Sequence, residues 1–477
     1  MNLTRVKTKI PEIFLNNRPI PLTSHVKILG IIIDNKLTWK KHIAYATCKA
    51  ERVTNIITRV AGKQWGLTGD VALHLSNMCY ETIITYAASI WGYAAKKKYI
   101  ENMINAGQRR ILIKCFKGYR TTSLKAMQSF AGVYPLNLTV RWMHDVYASK
   151  VLDDKTFNDK VEKPYPLKDM LHPKEWKHIN YYTISTNNIY KKDGFWDYYT
   201  DGSKGIKGTG GAFVLIDHTD AVKNTRKYYL SSDCNVYQAE IFAIVQALKH
   251  ANYNCDRNIR IFSDSMSSLE SICNYHNYNT LAMEARSLII NLKKRNRKIL
   301  MFWIKGHSGL RGNELADQAA KTAANKEEEN LHYDKLTIRQ MKKKLKILLH
   351  DNWYKSYNSY NNTWFKKFFP YVSESSPLPY YVPEVLWVVT GHGSFLEYLY
   401  RIKRKNTAYC PCGKNDTQTP HHLLWNCYLT AESIDIRKLR SRPFISYTEL
   451  LTNAYDLFAR SCKFICKICK AKNSVAL

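Results

Sequence analysis

Five residues between positions 201 and 317 carry side chains that could do chemistry, and they occur in a set order. Asp201 follows the aromatic, β-rich run Phe195–Thr200 and precedes a turn. Glu240 lies in VYQAEIFAIVQALKHA, where Ile241, Ile244, Val245 and Leu248 keep helical spacing. Asp264 ends NIRIFSDS, an alternating strand. His307 follows the strand ILMFWIKGH, and Asp317 sits in the alanine-rich helix GNELADQAAKTAAN. A lone Asp-Gly pair is usually only a turn. Several carboxylates that converge can instead hold two divalent ions, which serve the attacking water and the leaving 3′ oxygen of phosphodiester hydrolysis. Oxygen ligands favour a hard cation, Mg²⁺ with Mn²⁺ as substitute. A second set, Cys410-x-Cys412-x9-His422-x4-Cys427, offers three sulfurs and one imidazole, a tetrahedral Zn²⁺ set with His421 as the alternative ligand.

The elements that must position these groups alternate between strands and helices. The run FWDYYTDGSKGIKGTGGAFVLI reads as a β-hairpin, followed by the helix of Glu240, the strand of Asp264 and one basic helix over YNTLAMEARSLIINLKKRNRKI. Lys293, Lys294, Arg295, Arg297 and Lys298 in that helix are either phosphate contacts or a solvated helix end.

The motifs YTDGS, QAE, FSDS and WIKGHSGLRGNELADQAA resemble the type 1 ribonuclease H family over roughly Phe195 to Asn325. The resemblance implies a mixed five-stranded sheet with flanking helices. It makes Asp201, Glu240, Asp264 and Asp317 the ligands of two Mg²⁺ ions, and His307 the proton shuttle or product-release group. Histidine can exchange protons at neutral pH, which suits that role. The resemblance also gives Asn313 a part in placing substrate, and it puts backbone around Gly202–Ser203 and Gln238-Ala239 against an RNA–DNA hybrid. The substrate would be told apart by shape and by the ribose 2′-OH, with cleavage of its RNA strand. There is no room for the additional basic helix that some family members carry, so other basic segments would have to supply grip.

Before this domain, ILGIIIDNKLTWKKHI and TTSLKAMQSFAGVYPLNL are similar to the regions that follow the palm in reverse transcriptases of non-LTR retrotransposons. Residues 1–150 read as an all-α, thumb-like module with an apolar strand at Ile28–Ile33 and helices near 39–61, 69–95, 99–117, 121–131 and 137–152. Trp65, Trp91 and Tyr86 read as core rather than nucleotide-stacking groups. The aromatic-x-Asp-Asp hairpin of a polymerase is missing, and Val151-Leu152-Asp153-Asp154 reads as a solvated helix end. The order of motifs resembles the C-terminal portion of such a Pol polyprotein, and no DNA synthesis is expected from this chain alone.

Residues 151–194, with prolines at 164, 166 and 173, read as a linker. Residues 326–405 form a basic, aromatic helical region with an amphipathic helix from Asp334 to about Ser356. Its Trp353, Trp364 and Phe365 either stack on single-stranded bases or pack on a neighbouring helix. Residues 406–430 hold the Cys/His set, which resembles the C-terminal CCHC motif of the same polyproteins. Residues 431–477 are a helical tail whose Cys462, Cys466 and Cys469 share one face, as apolar-face thiols rather than a second metal site.

Lys and Arg number 72 against 39 Asp and Glu, a net charge of +33 that points to a polyanion such as RNA or DNA. The 12 cysteines form no disulfide ladder, so the expected compartment is reducing and intracellular, with the nucleus as the expected location. No apolar run approaches the roughly 18 residues of a membrane helix. The composition leaves two competing readings besides a nuclease. One is a non-catalytic nucleic-acid-binding remnant, and the other is an accessory part of a reverse transcriptase whose palm is on another chain.

Overall fold

A computed structural model describes residues 14–60, 67–151, 161–162, 179–183, 194–254, 257–326, 330–443 and 446–474. The chain divides into two compact units, one of residues 1–148 with 345–477 and one of residues 149–344.

After a short ladder of Phe14–Leu15 with Arg18–Pro19, the first unit forms a hairpin of β1 (His25–Ile28) and β2 (Ile31–Asp34). The apolar run expected as one strand is thus folded back on itself, because Leu29 and Gly30 take positive φ values of 47° and 84°. The Asp34 carboxylate accepts bonds from the backbone amides of Lys36, Thr38 and Trp39, and so opens the first helix, α1 (Lys40–Val60). A run of short helical turns covers 69–96. It is followed by α2 (Lys98–Cys115), α3 (Leu124–Ala131) and α4 (Leu136–Val151).

The N-terminal and C-terminal segments, separate domains by sequence, share one core. Tyr134 meets Trp353 at 4.9 Å and Phe116 meets Tyr381 at 4.6 Å. Trp91, Trp353 and Phe365 are almost wholly buried, each contributing on the order of 2–3 kcal/mol. Packing therefore accounts for Trp353 and Phe365. Tyr86 is exposed and donates its hydroxyl to the Leu29 carbonyl, contrary to its reading as core. Trp65 and residues 152–154 lie outside the described residues.

The second unit is built on a six-stranded sheet, one strand more than expected. Its strands are β3 (Tyr181–Thr183), β4 (Phe195–Lys204), β5 (Thr209–Ile216), β6 (Val222–Leu230), β7 (Asn258–Ser263) and β8 (Ile299–Trp303), in the order β3-β8-β7-β4-β5-β6. The three pairs from β3 to β4 are parallel, and the two from β4 to β6 are antiparallel. The additional strand β3 comes from the stretch read as a linker, as does Val161, which bridges Leu336. The three prolines of that stretch lie outside the described residues, as do 152–160, 163–178 and 184–193.

Four helices flank the sheet: α5 (Val236–Asn254), α6 (Met266–Cys273), α7 (Thr280–Lys294) and α8 (Arg311–Asn325). Helix α6 is not among the expected elements, because its eight residues include three serines that blur its helical period. After α8 the chain continues into α9 (Ile338–Asn358).

The sheet accepts α8 closely because β5 has no side chain at Gly210. A Cβ there would stand 2.4 Å from the Ala320 carbonyl oxygen and 2.5 Å from the Ala324 amide nitrogen. Gly210→Ala is therefore expected to destabilise the chain by about 1–3 kcal/mol through overpacking. At Gly208 the nearest atom would be 3.4 Å away, and Gly208→Ala should cost less than about 1 kcal/mol. Urea unfolding of both variants checks the contrast.

Candidate active site

Parallel pairing of β4 with β7 aligns Thr200 with Ser263, so the next residues, Asp201 and Asp264, leave the two strands at one level. Three contacts fix that level. Arg260 holds Asp197 through a buried two-pronged ion pair, with Nε to Oδ1 at 2.6 Å and Nη2 to Oδ2 at 2.7 Å, joining residues already paired in the ladder. The Thr200 hydroxyl donates to the Phe262 carbonyl at 3.2 Å, and Trp303 Nε1 donates to the Asp264 carbonyl at 3.0 Å.

Glu240 arrives from α5. Its approach depends on Gly202, where a Cβ would stand 2.4 Å from the Glu240 amide nitrogen. Asp201, Glu240 and Asp264 can present carboxylate oxygens that all lie within 4.8 Å of one another. Glu240 Oε2 is buried with no hydrogen-bond partner. Burial, followed by the charges of Asp264 and Asp317, pushes the Asp201 carboxyl up to about 7. Burial and the charges of Asp201 and Asp264 raise Glu240 in the same way. Asp264 is also raised, first by burial, against the pull of its own backbone amide and of Asn313. Three crowded acids with an unused oxygen form a donor set that fits hard divalent cations.

The other expected residues are arranged differently. Asp317 adds to the field on all three acids, but it stands outside their close group. Lys321, one helical turn along, holds its carboxylate at 2.7 Å. This pair is legible in the sequence as an i, i+4 spacing. His307 is exposed on the loop after β8 with φ at 52°, an uncommon backbone state for a non-glycine residue. Its charge bears on Asp264. Asn313 is buried and hydrogen-bonds Asp264, so it orients a site residue rather than reaching outward.

The two backbone stretches expected to meet substrate lie against each other. The Ala239–Glu240 backbone packs on Gly202, and the Gln238 side chain is taken up by Glu162 and the Lys335 carbonyl. The basic cluster Lys293–Lys298 precedes β8 and binds the start of β7, where the Lys298 amide donates to Asn258 at 2.8 Å. It lies at the opposite end of the strands from the acids, roughly 15–20 Å away for five or six residues.

The Cys/His set also comes together. Cys410, Cys412, His422 and Cys427 are buried with ligand atoms within 4.8 Å of one another. Cys410 Sγ lies 3.7 Å from Cys427 Sγ, and Cys412 Sγ lies 3.4 Å from His422 Nε2. The one-residue gap between the first two cysteines works because 408–418 is a tight hairpin. In it the Cys410 amide donates to the Asp416 carbonyl and the Gln418 amide to the Ala408 carbonyl, both at 2.8 Å. Helix α10 (Pro420–Trp425) carries His422, whose Nδ1 faces the Asp416 carboxylate at 3.1 Å.

His421 turns away and packs edge-on against Trp364, so the geometry selects His422. Burial pushes the Cys410 thiol up to about 12, and Cys427 beside it adds to the rise. Burial also lowers His422, toward the neutral imidazole that a metal needs. Cys462, Cys466 and Cys469 are buried on α11 (Tyr455–Ser474), and none joins a metal-binding cluster among the described residues.

Residues 196–325 match the family model described as RNase H. The retrovirus-related Pol polyprotein from type-1 retrotransposable element R1 of Bradysia coprophila is 30% identical over 128 residues, covering 27% of this chain and 13% of that protein. Ribonuclease H of Actinobacillus pleuropneumoniae is 31% identical over 139 residues, covering 27% of this chain and 88% of the enzyme. RNase H1 of Halobacterium salinarum, a solved structure, is 20% identical with a TM-score of 0.23, covering 27% of this chain and 97% of that one. The match thus spans about one eighth of the polyprotein and most of the small enzyme.

Without metal, the raised carboxyls of the folded site hold protons that the unfolded chain releases above about pH 4. Their contribution to stability is present below that value and is lost as pH rises through about 7. In EDTA, Asp201→Asn should therefore melt higher than the wild type at about pH 8, by about 1–3 kcal/mol, and no higher at about pH 4. Thermal melting at both pH values checks the sign.

Proposed function

The chain belongs to the ribonuclease H family through residues 196–325, and from that premise we propose that this domain cuts the RNA strand of RNA–DNA hybrids as part of a non-LTR retrotransposon Pol protein. The observation that carries the reading is the close group of Asp201, Glu240 and Asp264 with its unpartnered Glu240 oxygen. Two divalent cations, Mg²⁺ or Mn²⁺, would be held by these three, with Asp317 as the fourth ligand once it is released from Lys321. When bound they supply the positive charge that activates water and stabilises the leaving 3′ oxygen.

The chain's own residues do the rest. Asn313 holds Asp264 in place, and Lys321 keeps Asp317 at the rim. His307, exposed beside Asp264, can take a proton from the site to solvent. The products are a 5′ phosphate and a 3′ hydroxyl. The Cys410, Cys412, His422 and Cys427 set would hold one structural Zn²⁺, closed to solvent by its burial.

A labelled RNA–DNA hybrid, with double-stranded RNA and double-stranded DNA as controls, tests the activity. Mg²⁺ should support cleavage of the hybrid's RNA alone. EDTA should abolish it, and Asp201→Asn or Asp264→Asn should lower the rate by at least about a hundredfold while the chain stays folded. Hybrid that is bound but left uncut in Mg²⁺ would move the assignment to a binding protein.

Elemental analysis tests the second site. One zinc per chain is expected, lost in Cys412→Ser and kept in His421→Ala. Chelation should lower the unfolding free energy of the helical unit by several kcal/mol, on the order of 5 or more. Zinc retained in Cys412→Ser would refute the ligand set.

A further inference from the structure

A cavity of about 430 Å³ opens in the helical unit where the first turns of α2, α3 and α4 converge. It lies among residues of that unit alone and has no part in the nuclease chemistry. Lys96, Lys98, Lys125 and Arg141 line it against a single carboxylate, Glu101, which Lys98 holds at 3.1 Å. Helix N-termini carry partial positive charge and free amides. Neither α2 nor α3 is capped by a side chain at its start, and the Ser123 hydroxyl beside the cavity makes no capping bond.

The lining also holds polar groups left unused. Asn137 is only 6% exposed, and its Oδ1 is buried without a partner. Asn105 Oδ1 and Arg141 Nε are buried and unpartnered as well. A buried donor or acceptor without a partner costs about 1–3 kcal/mol, so three around one cavity mark a place built for a ligand. An asparagine can present its NH₂ in place of its oxygen by turning about its last bond, so both amides can donate. Lys125 is held by the Ser356 carbonyl at 2.7 Å and the Ser359 hydroxyl at 2.6 Å, which fixes its ammonium at the rim.

We propose that this cavity binds a phosphate group carried by a nucleic-acid strand. Arg141 supplies the planar fork that suits phosphate oxygens, Asn105 and Asn137 supply neutral donors, and the three helix starts supply the field. Burial and the charge of Lys98 lower the Lys125 ammonium, a repulsion that an anion between the two would relieve. The size suits one nucleotide's phosphate and sugar. A phosphate at a strand end and one inside a strand offer the same chemistry.

The test uses the full chain and a labelled single-stranded DNA about 12 nucleotides long, with either a 5′ phosphate or a 5′ hydroxyl, followed by fluorescence anisotropy. Arg141→Gln should weaken binding roughly tenfold. Asn137→Leu removes no charge and relieves an unsatisfied buried group, so it should fold, yet it should weaken binding severalfold. Lys49→Gln, an exposed charge on α1 away from the cavity, is the control for general electrostatics. Losses confined to the 5′-phosphorylated strand place a terminal phosphate in the cavity, and equal losses with both strands place an internal one. The proposal is overturned if Arg141→Gln weakens binding no more than Lys49→Gln and Asn137→Leu leaves it unchanged. Should Arg141→Gln fail to fold, the comparison of Asn137→Leu with Lys49→Gln decides alone.

Discussion

Mutual repulsion among three crowded carboxylates, two buried and one half-buried, is the constraint that the sheet unit is arranged around. Asp201, Glu240 and Asp264 sit within 4.8 Å of one another, where their charged forms are costly. Nothing in the local sequence draws them together, so the scaffold must hold them there. The parallel ladder sets Asp201 and Asp264 level, and the buried Arg260–Asp197 pair pins its register. A one-residue slip would turn every side chain of β7 to the other face and separate the acids. The close approach of α5 at Gly202 then delivers Glu240 to a place a longer side chain would occupy. Stability given up at the acids is recovered in the surrounding core, where Tyr198, Phe213, Ile244 and Ile261 are almost fully buried.

The parts of this arrangement legible in the sequence are those that depend on local pattern. Period-2 and period-3.6 spacing placed the strands of Asp201 and Asp264 and the helix of Glu240, because those segments bury one face and pattern follows burial. Positions set by long-range contacts were not legible. Asp317 has the spacing of a ligand, but its distance from the three acids is set by how α8 packs on the sheet. The basic cluster at Lys293–Lys298 reads as a phosphate contact until the parallel crossover carries it to the far end of the sheet. Strand β3 has three residues and no alternating pattern of its own, so it is defined only by its partner β8.

The helical unit shows the same limit on a larger scale. Residues 1–148 and 345–477 are separated in sequence by a complete domain, and neither part gives a sign that it lacks a core. Trp353 and Tyr357 on α9 are buried with Tyr134 and Phe130 from the N-terminal segment. Aromatic residues that could have faced bases are spent on this closure. The Cys/His hairpin belongs to the same core, with Leu423 and Leu424 of α10 buried beside its ligands. Gln418 illustrates the coupling. Its Nε2 donates to Cys410 Sγ while its Oε1 accepts from the Leu396 amide, so the sulfur's surroundings and the neighbouring helix are fixed together. A metal there would stabilise the closure of the unit as well as the hairpin.

The charge of the chain sets two requirements on different length scales. A net +33 attracts a polyanion from solution, and that attraction is screened beyond about 8–10 Å at physiological salt. At Asp201, Glu240 and Asp264 the nearest charges are one another's carboxylates, with Asp317 adding to them and Lys321 opposing them. Encounter and chemistry are thus governed by different groups. A basic surface can attract a polyanion with no cation present, whereas the acidic site can accept a phosphate only when its own charge has been neutralised. Protonation would neutralise it and remove the ligands, so protonation cannot substitute for a cation in the proposed reaction. In the proposed reaction, attraction of the polyanion and cleavage would thus rest on charges of opposite sign.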